Sequence, residues 1–189
     1  MAVYDFDMLV ARRAAAAARG AREIITDRRG ASEVAEKGVH DFVTATDRAF
    51  VAARGEGAYL GDERLHVSDV DYSEAIMAVG TMPYDKSDSD RLFRMWHRIF
   101  LETNDLRRIG AAASDIVRVA AGKIEGYCEK RLGTWDYAAA SLILTEAGGV
   151  FSGWHGERVV MDGVKRSVVA ATPRTHERLL RVIEEEYFN

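Results

Sequence analysis

From Tyr72 to Asn189 short apolar runs alternate with stretches of helical periodicity, a pattern that predicts a layered α/β fold. The composition agrees with it. Of 189 residues, 48% are hydrophobic and 30% charged, the balance of a chain that closes a core and stays in water. A net charge of -4 supplies no basic field of the kind that nucleic acid or an anionic membrane selects, so neither partner is expected.

The elements follow in order. Phe6, Leu9, Val10, Ala14, Ala17, Ala21, Ile24 and Ile25 recur at three- and four-residue spacing and predict one amphipathic helix ending before Gly30. Val34 to Asp47 is short and mixed, a strand or loop leading to a helix start. Asp47 to Arg54 fits either a short capped helix or a strand beginning at Phe50. Gly55 to Val67 reads as turn, strand, a second turn at Gly61-Asp62, and strand.

Beyond Ser68 come a strand at Ala75 to Val79 and a helix capped by Ser87 or Ser89, with Phe93, Trp96 and Phe100 as core. A strand at Leu106 to Ile109, a helix through Ala113, Ile116, Val117 and Ala120, and a strand at Tyr127-Cys128 are next. A helix from Asp136 stops at Gly148-Gly149. Val150-Phe151, Arg158 to Met161 and Ser167 to Ala171 are strand candidates, before a helix with Thr172 as cap and Pro173 in its first turn. The best boundary lies near Ser68 to Tyr72, giving residues 1–71 as helix plus a partial α+β unit and 72–189 as the α/β domain.

The lone Cys128 excludes an internal disulfide and a thiolate-rich zinc site, fits a cytoplasmic location, and reads as an inert, half-buried thiol. The acidic N-terminus does not read as a secretory signal, and no apolar run approaches a membrane span. The five histidines lack metal-ligand spacing, and no serine sits in a nucleophile signature. Asp85, Asp88 and Asp90 lack the glycine and distal glutamate of a calcium loop and read as a solvated loop and helix start. Asp69 and Asp71 read as turn residues.

Trp135-Asp136-Tyr137-Ala138-Ala139-Ala140, followed by Glu146-Ala147-Gly148-Gly149, closely resembles the C-terminal signature of the inositol monophosphatase family. Arg108-Ile109-Gly110-Ala111-Ala112-Ala113 and Gly126-Tyr127-Cys128-Glu129 fit the same family at matching distances. Asp41-Phe42-Val43-Thr44-Ala45-Thr46-Asp47 and the glycine-rich stretch from Gly55 resemble its N-terminal elements. The resemblance implies a layered α-β-α sandwich, with the C-terminal α/β half largely complete and the N-terminal sheet truncated. It also implies a homodimer.

The activity implied is hydrolysis of inositol phosphate or a similar monoester of a polyol or sugar, using Mg²⁺. Magnesium prefers oxygen ligands in octahedral geometry, so such chemistry needs several carboxylates at one point. By resemblance Asp136 is a metal ligand, Asp47 a catalytic residue ordering water, and Ala111, Ala112 and Glu129 substrate contacts. The family's Gly-Glu-Glu and Asp-Pro-Xaa-Asp-Gly-Thr elements belong between the regions matching Asp47 and Gly55, where Arg48 to Arg54 leaves no room for them. Enzymatic acceleration of phosphate monoester hydrolysis approaches ~10²¹, so a site short of most ligands is expected to be inactive or weakly active, with Mg²⁺ bound weakly. The alternatives are a sugar-phosphate-binding or dimerising module, and an active phosphatase whose sequence lacks a stretch here.

Overall fold

The computed structural model describes the backbone of Val34–Glu36 and Phe42–Thr44, and residues 49–189 in full. The predicted N-terminal helix and Asp47 lie outside the described residues. The first two strands, β1 (Val34–Glu36) and β2 (Phe42–Thr44), pair antiparallel with Val34 opposite Thr44. The ambiguous stretch after Asp47 is a strand: β3 (Phe50–Ala53) pairs antiparallel with β4 (Gly57–Leu60), which pairs with β5 (Glu63–Arg64). Period-two alternation decides it, since Phe50 is buried and Val51 exposed.

The remaining elements are β6 (Ile76–Val79), α1 (Ser89–Glu102), β7 (Asp105–Arg107), α2 (Ala112–Ala120), β8 (Gly126–Leu132), α3 (Thr134–Glu146), β9 (Val150–Gly153), β10 (Arg166–Ala171) and α4 (Pro173–Ile183). They build a 5-stranded sheet in the order β7-β6-β8-β10-β9. Helical crossovers make β6 parallel to both β7 and β8, while β10 runs antiparallel to β8 and β9.

Successive residues of the central strands point to opposite faces, and both faces are buried. Ala78, Tyr127, Val168 and Ala170 face one core with Ile116 and Val117 of α2, Ile143 and Leu144 of α3, and Phe50, Ala58 and Leu65 from the β3-β4-β5 meander. Met77, Val79, Cys128, Val169 and Ala171 face the other, with Leu92, Met95, Trp96 and Ile99 of α1 and Leu179, Val182 and Ile183 of α4. The expected α/β layering is therefore present, one helix pair on each face. Among the described residues no helix is long and apolar enough to cross a membrane.

Four local expectations are corrected. Phe93 and Phe100 are 60% and 51% exposed, because the buried face of α1 runs through Leu92, Met95, Trp96 and Ile99 and turns them outward. Neither Ser87 nor Ser89 caps α1; Asp88 holds the cap position, and its carboxylate is taken instead by Lys130 and Tyr187. Arg158 to Met161 is a connection rather than a strand, buried only at Val159. Cys128 is fully buried rather than half-buried, and burial pushes its thiol up.

Other expectations at the element ends hold. Thr172 caps α4 by accepting from the Thr175 N–H, with Pro173 in the first turn. Gly148 takes φ +88 just beyond α3, the left-handed geometry that ends a helix.

Candidate ligand-binding site

In open α/β sheets the carboxyl ends of parallel strands, with helix N-termini facing them, form the crevice where ligands settle. Here that crevice lies where β6 gives way to Gly80, where β8 passes through Glu129, and where α2 and α3 begin. The Gly80 N–H donates to the Cys128 carbonyl at 3.0 Å, extending the β6–β8 pairing one residue. Alternation puts Glu129 on the Tyr127 side of the sheet, the side covered by α2 and α3.

Glu129 is half-buried, and the Tyr127 hydroxyl donates to its Oε2. Burial raises its pKa; the Tyr127 hydrogen bond opposes the rise, the charge of Asp136 adds to it and that of Arg108 opposes it. The carboxylate thus lies among the acids Asp136 and Asp115 and the cation Arg108. Arg108 is exposed, and its Nε donates to Thr81 Oγ1 at 3.0 Å, so the guanidinium is tied to the segment following β6.

Asp136 sits in the first turn of α3 and is half-buried. Its Oδ2 accepts from the Gly133 N–H at 2.9 Å, and its own N–H donates to the Gly133 carbonyl at 2.9 Å. The predicted metal ligand therefore also closes its helix start. Ala111 precedes α2 and supplies no side-chain cap, so among the described residues the first N–H groups of α2, from Ala112 on, have no capping side chain. Asp115 lies in the first turn of α2, 1% exposed, with neither carboxylate oxygen hydrogen-bonded among the described residues. Burial pushes its pKa up to about 6, against the charge of Arg118 and with that of Glu129.

Of the residues named from sequence, Glu129 and Asp136 are thus electrostatic neighbours, Ala111 and Ala112 form the start of α2, and Asp47 lies outside the described residues. Sequence reasoning missed Gly80, Arg108, Asp115 and Tyr127. Arg108 and Tyr127 stood inside the quoted motifs but have no signature of their own; Asp115, three residues into a helix, has none either. Gly80 carried no local signal at all.

The described residues do not fit a magnesium cluster. Among them no group of three or more His, Cys, Asp or Glu side chains converges. The carboxylates at the crevice are Asp136, with one oxygen committed to Gly133, and Glu129, with one oxygen committed to Tyr127.

The sequence profile of the Inositol monophosphatase family matches residues 47–187. The Nus factor SuhB of Vibrio cholerae is 35% identical over 158 residues, covering 83% of this chain and 57% of that protein. Among solved structures, inositol monophosphatase-II from Staphylococcus aureus aligns with a TM-score of 0.67 at 28% identity, covering 76% of this chain and 53% of the other. Inositol monophosphate-bound SaIMPase-II aligns with a TM-score of 0.64 at 28% identity, covering 72% and 53%. The chain spans about half the length of the curated relatives it matches.

Proposed function

We propose, from the premise that the chain belongs to the inositol monophosphatase family, that it recognises a small phosphorylated polyol or sugar at the carboxyl ends of β6 and β8. The observation that carries this reading is the Glu129 carboxylate, held by Tyr127 at the crevice beside Asp136 and Arg108. A carboxylate fixed at one oxygen presents the other as an acceptor for a ligand hydroxyl. The uncapped N–H groups of α2 and the Arg108 guanidinium suit a phosphate. A relative of this fold with inositol monophosphate bound supports the same ligand class.

Recognition is separable from turnover. The family is generally magnesium-dependent, and Asp136 with Glu129 alone does not assemble the carboxylates that such hydrolysis takes. The chain is accordingly proposed to bind such esters while hydrolysing them weakly or not at all, in a cytoplasmic setting. Phosphate release from inositol monophosphate, titrated with Mg²⁺, tests this: a rate equal to that of Asp136→Ala is expected. Robust release abolished by Asp136→Ala would assign catalysis to this chain after all.

A second reading is favoured by a different observation. A groove of about 330 Å³ runs beside α1 and the edge strand β7, lined by Phe93, Trp96, Phe100 and Leu106. Exposed aromatic side chains beside a sheet edge that is unpaired among the described residues suit a protein partner, a second copy of the chain first. Relatives named Nus factor are consistent with a protein-binding role. Light scattering during gel filtration decides it: a dimer converted to monomer by Phe93→Glu supports this face, and a monomeric wild type excludes self-association.

A further inference from the structure

We propose that Gly80 and Tyr127 are positioning residues that set the Glu129 carboxylate for hydroxyl recognition, Gly80 by having no side chain and Tyr127 by its hydroxyl. The inference rests on the ligand reading above and adds how the recognising group is aimed.

A Cβ added at Gly80 would lie 2.0 Å from Glu129 Cδ, 2.2 Å from its Cγ and 2.4 Å from its Oε1. Glu129 therefore crosses the backbone of β6 through the space that any side chain at position 80 would fill. Relief by moving Gly80 instead is blocked, because Gly80 is itself buried and its N–H is committed to the Cys128 carbonyl at 3.0 Å. Gly80 shares its side of the sheet with Ala78 and Tyr127, which sit in the core under α2 and α3. The conformational freedom of glycine is not in use here, since Gly80 is not among the positive-φ glycines. What is in use is its lack of volume.

Tyr127 supplies the second constraint. Its ring is 1% exposed in the core, and its hydroxyl donates to Glu129 Oε2. Two residues apart on β8, the pair share one face of the strand. Oε2 is thus tied to the strand, while Oε1 lies against Gly80 at the end of β6. Without both constraints Glu129 is a flexible surface acid; with them its acceptor oxygen has one position, which lowers the entropic cost of ordering it on a ligand.

The test uses the full chain and two probes, inositol monophosphate and inorganic phosphate, by calorimetry, with melting curves to show that each variant folds. Gly80→Ala is expected to weaken inositol monophosphate binding by ~10-fold or more, the scale of a lost charge-assisted hydrogen bond, and to leave inorganic phosphate binding unchanged. Adding Glu129→Asp, one methylene shorter, is expected to restore much of the loss. Tyr127→Phe should move the same ratio of affinities in the same direction by less, and it serves alone if Gly80→Ala does not fold. An unchanged ratio in both single variants overturns the proposal, as does a double variant no better than Gly80→Ala.

Crystal structures of wild type and Gly80→Ala separate this inference from the ligand reading. Wild type binding neither probe sinks the ligand reading. A Glu129 side chain in the same place in both structures overturns the positioning role whatever the binding result; a Glu129 swung away supports it.

Discussion

On the face of the sheet covered by α1 and α4, ionisable groups at the margins of the core meet partners. Arg178 donates to both oxygens of Glu102 at 2.9 and 2.5 Å, Lys130 and Tyr187 share Asp88, and His176 Nε2 lies 2.7 Å from Ser152 Oγ. On the face covered by α2 and α3, Asp115 is buried with neither oxygen hydrogen-bonded among the described residues, and Glu129 is turned toward the crevice beside another acid. The first face uses its charged groups to hold elements together, and its unpartnered buried polar atoms, Tyr72 Oη, Trp96 Nε1 and Thr175 Oγ1, are neutral. The second keeps acids poorly compensated around the end of β6, a cost in stability of the kind that binding sites carry.

If that contrast concerns charge alone, the apolar halves of the two cores should be equivalent. Leu144 and Ile99 are each fully buried, one on each face. Truncation of either to alanine is expected to cost ~2–5 kcal/mol in denaturant unfolding, the range for large-to-small changes in a packed core. A Leu144→Ala cost far below that of Ile99→Ala would mean that the α2–α3 face is looser in packing as well as in charge.

Asp115 gives the contrast its sharpest form. Its folded pKa, about 6, is above its ordinary 3.8, so between these values the folded chain holds more proton than the unfolded chain. Stability therefore falls as pH rises from about 4 through about 6 and then levels. Asp115→Asn, neutral throughout, is expected to flatten that slope and to melt higher than wild type at pH 7. Melting temperatures of the two proteins across pH 4 to 7 check it; parallel curves would show that Asp115 is compensated.

The other face should respond with the opposite sign. Burial lowers the His176 pKa below its ordinary 6.5, so the unfolded chain takes the proton first and stability is lost as pH falls below 6.5. Ser152 Oγ also donates to the Gly153 carbonyl at 2.8 Å, which leaves His176 Nε2 as the donor in its contact with Ser152 and places the proton of the neutral ring on Nε2. His176→Asn is expected to cost ~1 kcal/mol at neutral pH through the altered hydrogen bond and to flatten the acid limb. An unaltered acid limb would remove His176 from the account.

How much of this the sequence showed follows from the range of each interaction. Strand–helix alternation after Tyr72, the Thr172-Pro173 start of α4 and the glycine stop after Glu146 are local signals, and they were legible. The exposure of Phe93 and Phe100 was not, because helical spacing tells which residues share a face but not which face meets the sheet. In the candidate site, motif resemblance pointed to Asp136, Glu129, Ala111 and Ala112. Gly80 was silent because its meaning is a contact with a side chain 49 positions later across two strands. Ser152 and His176, each unremarkable alone, became informative only as a buried pair.

The smallest expected effect lies where the α2–α3 face meets the meander. Glu146, at the end of α3, accepts the Gly55 N–H through Oε1 and the Gly57 N–H through Oε2, each at 2.9 Å, and so clamps the turn between β3 and β4. These two hydrogen bonds, Gly55 first, hold the carboxyl below the usual carboxylate range. Stability from this contact is accordingly present above that range and is lost as pH falls through it. Glu146→Gln keeps one carbonyl oxygen and replaces the other acceptor with a donor. Amide hydrogen exchange at Gly55 or Gly57 should quicken while the melting temperature barely moves, because the Glu56 N–H still donates to the Ala53 carbonyl at 3.0 Å and closes the turn by itself. Exchange unchanged at both glycines would show that the turn holds without α3. The two glycines and Glu146 would then be linked by proximity alone, and the meander would owe its place to Phe50, Ala58 and Leu65 in the shared core.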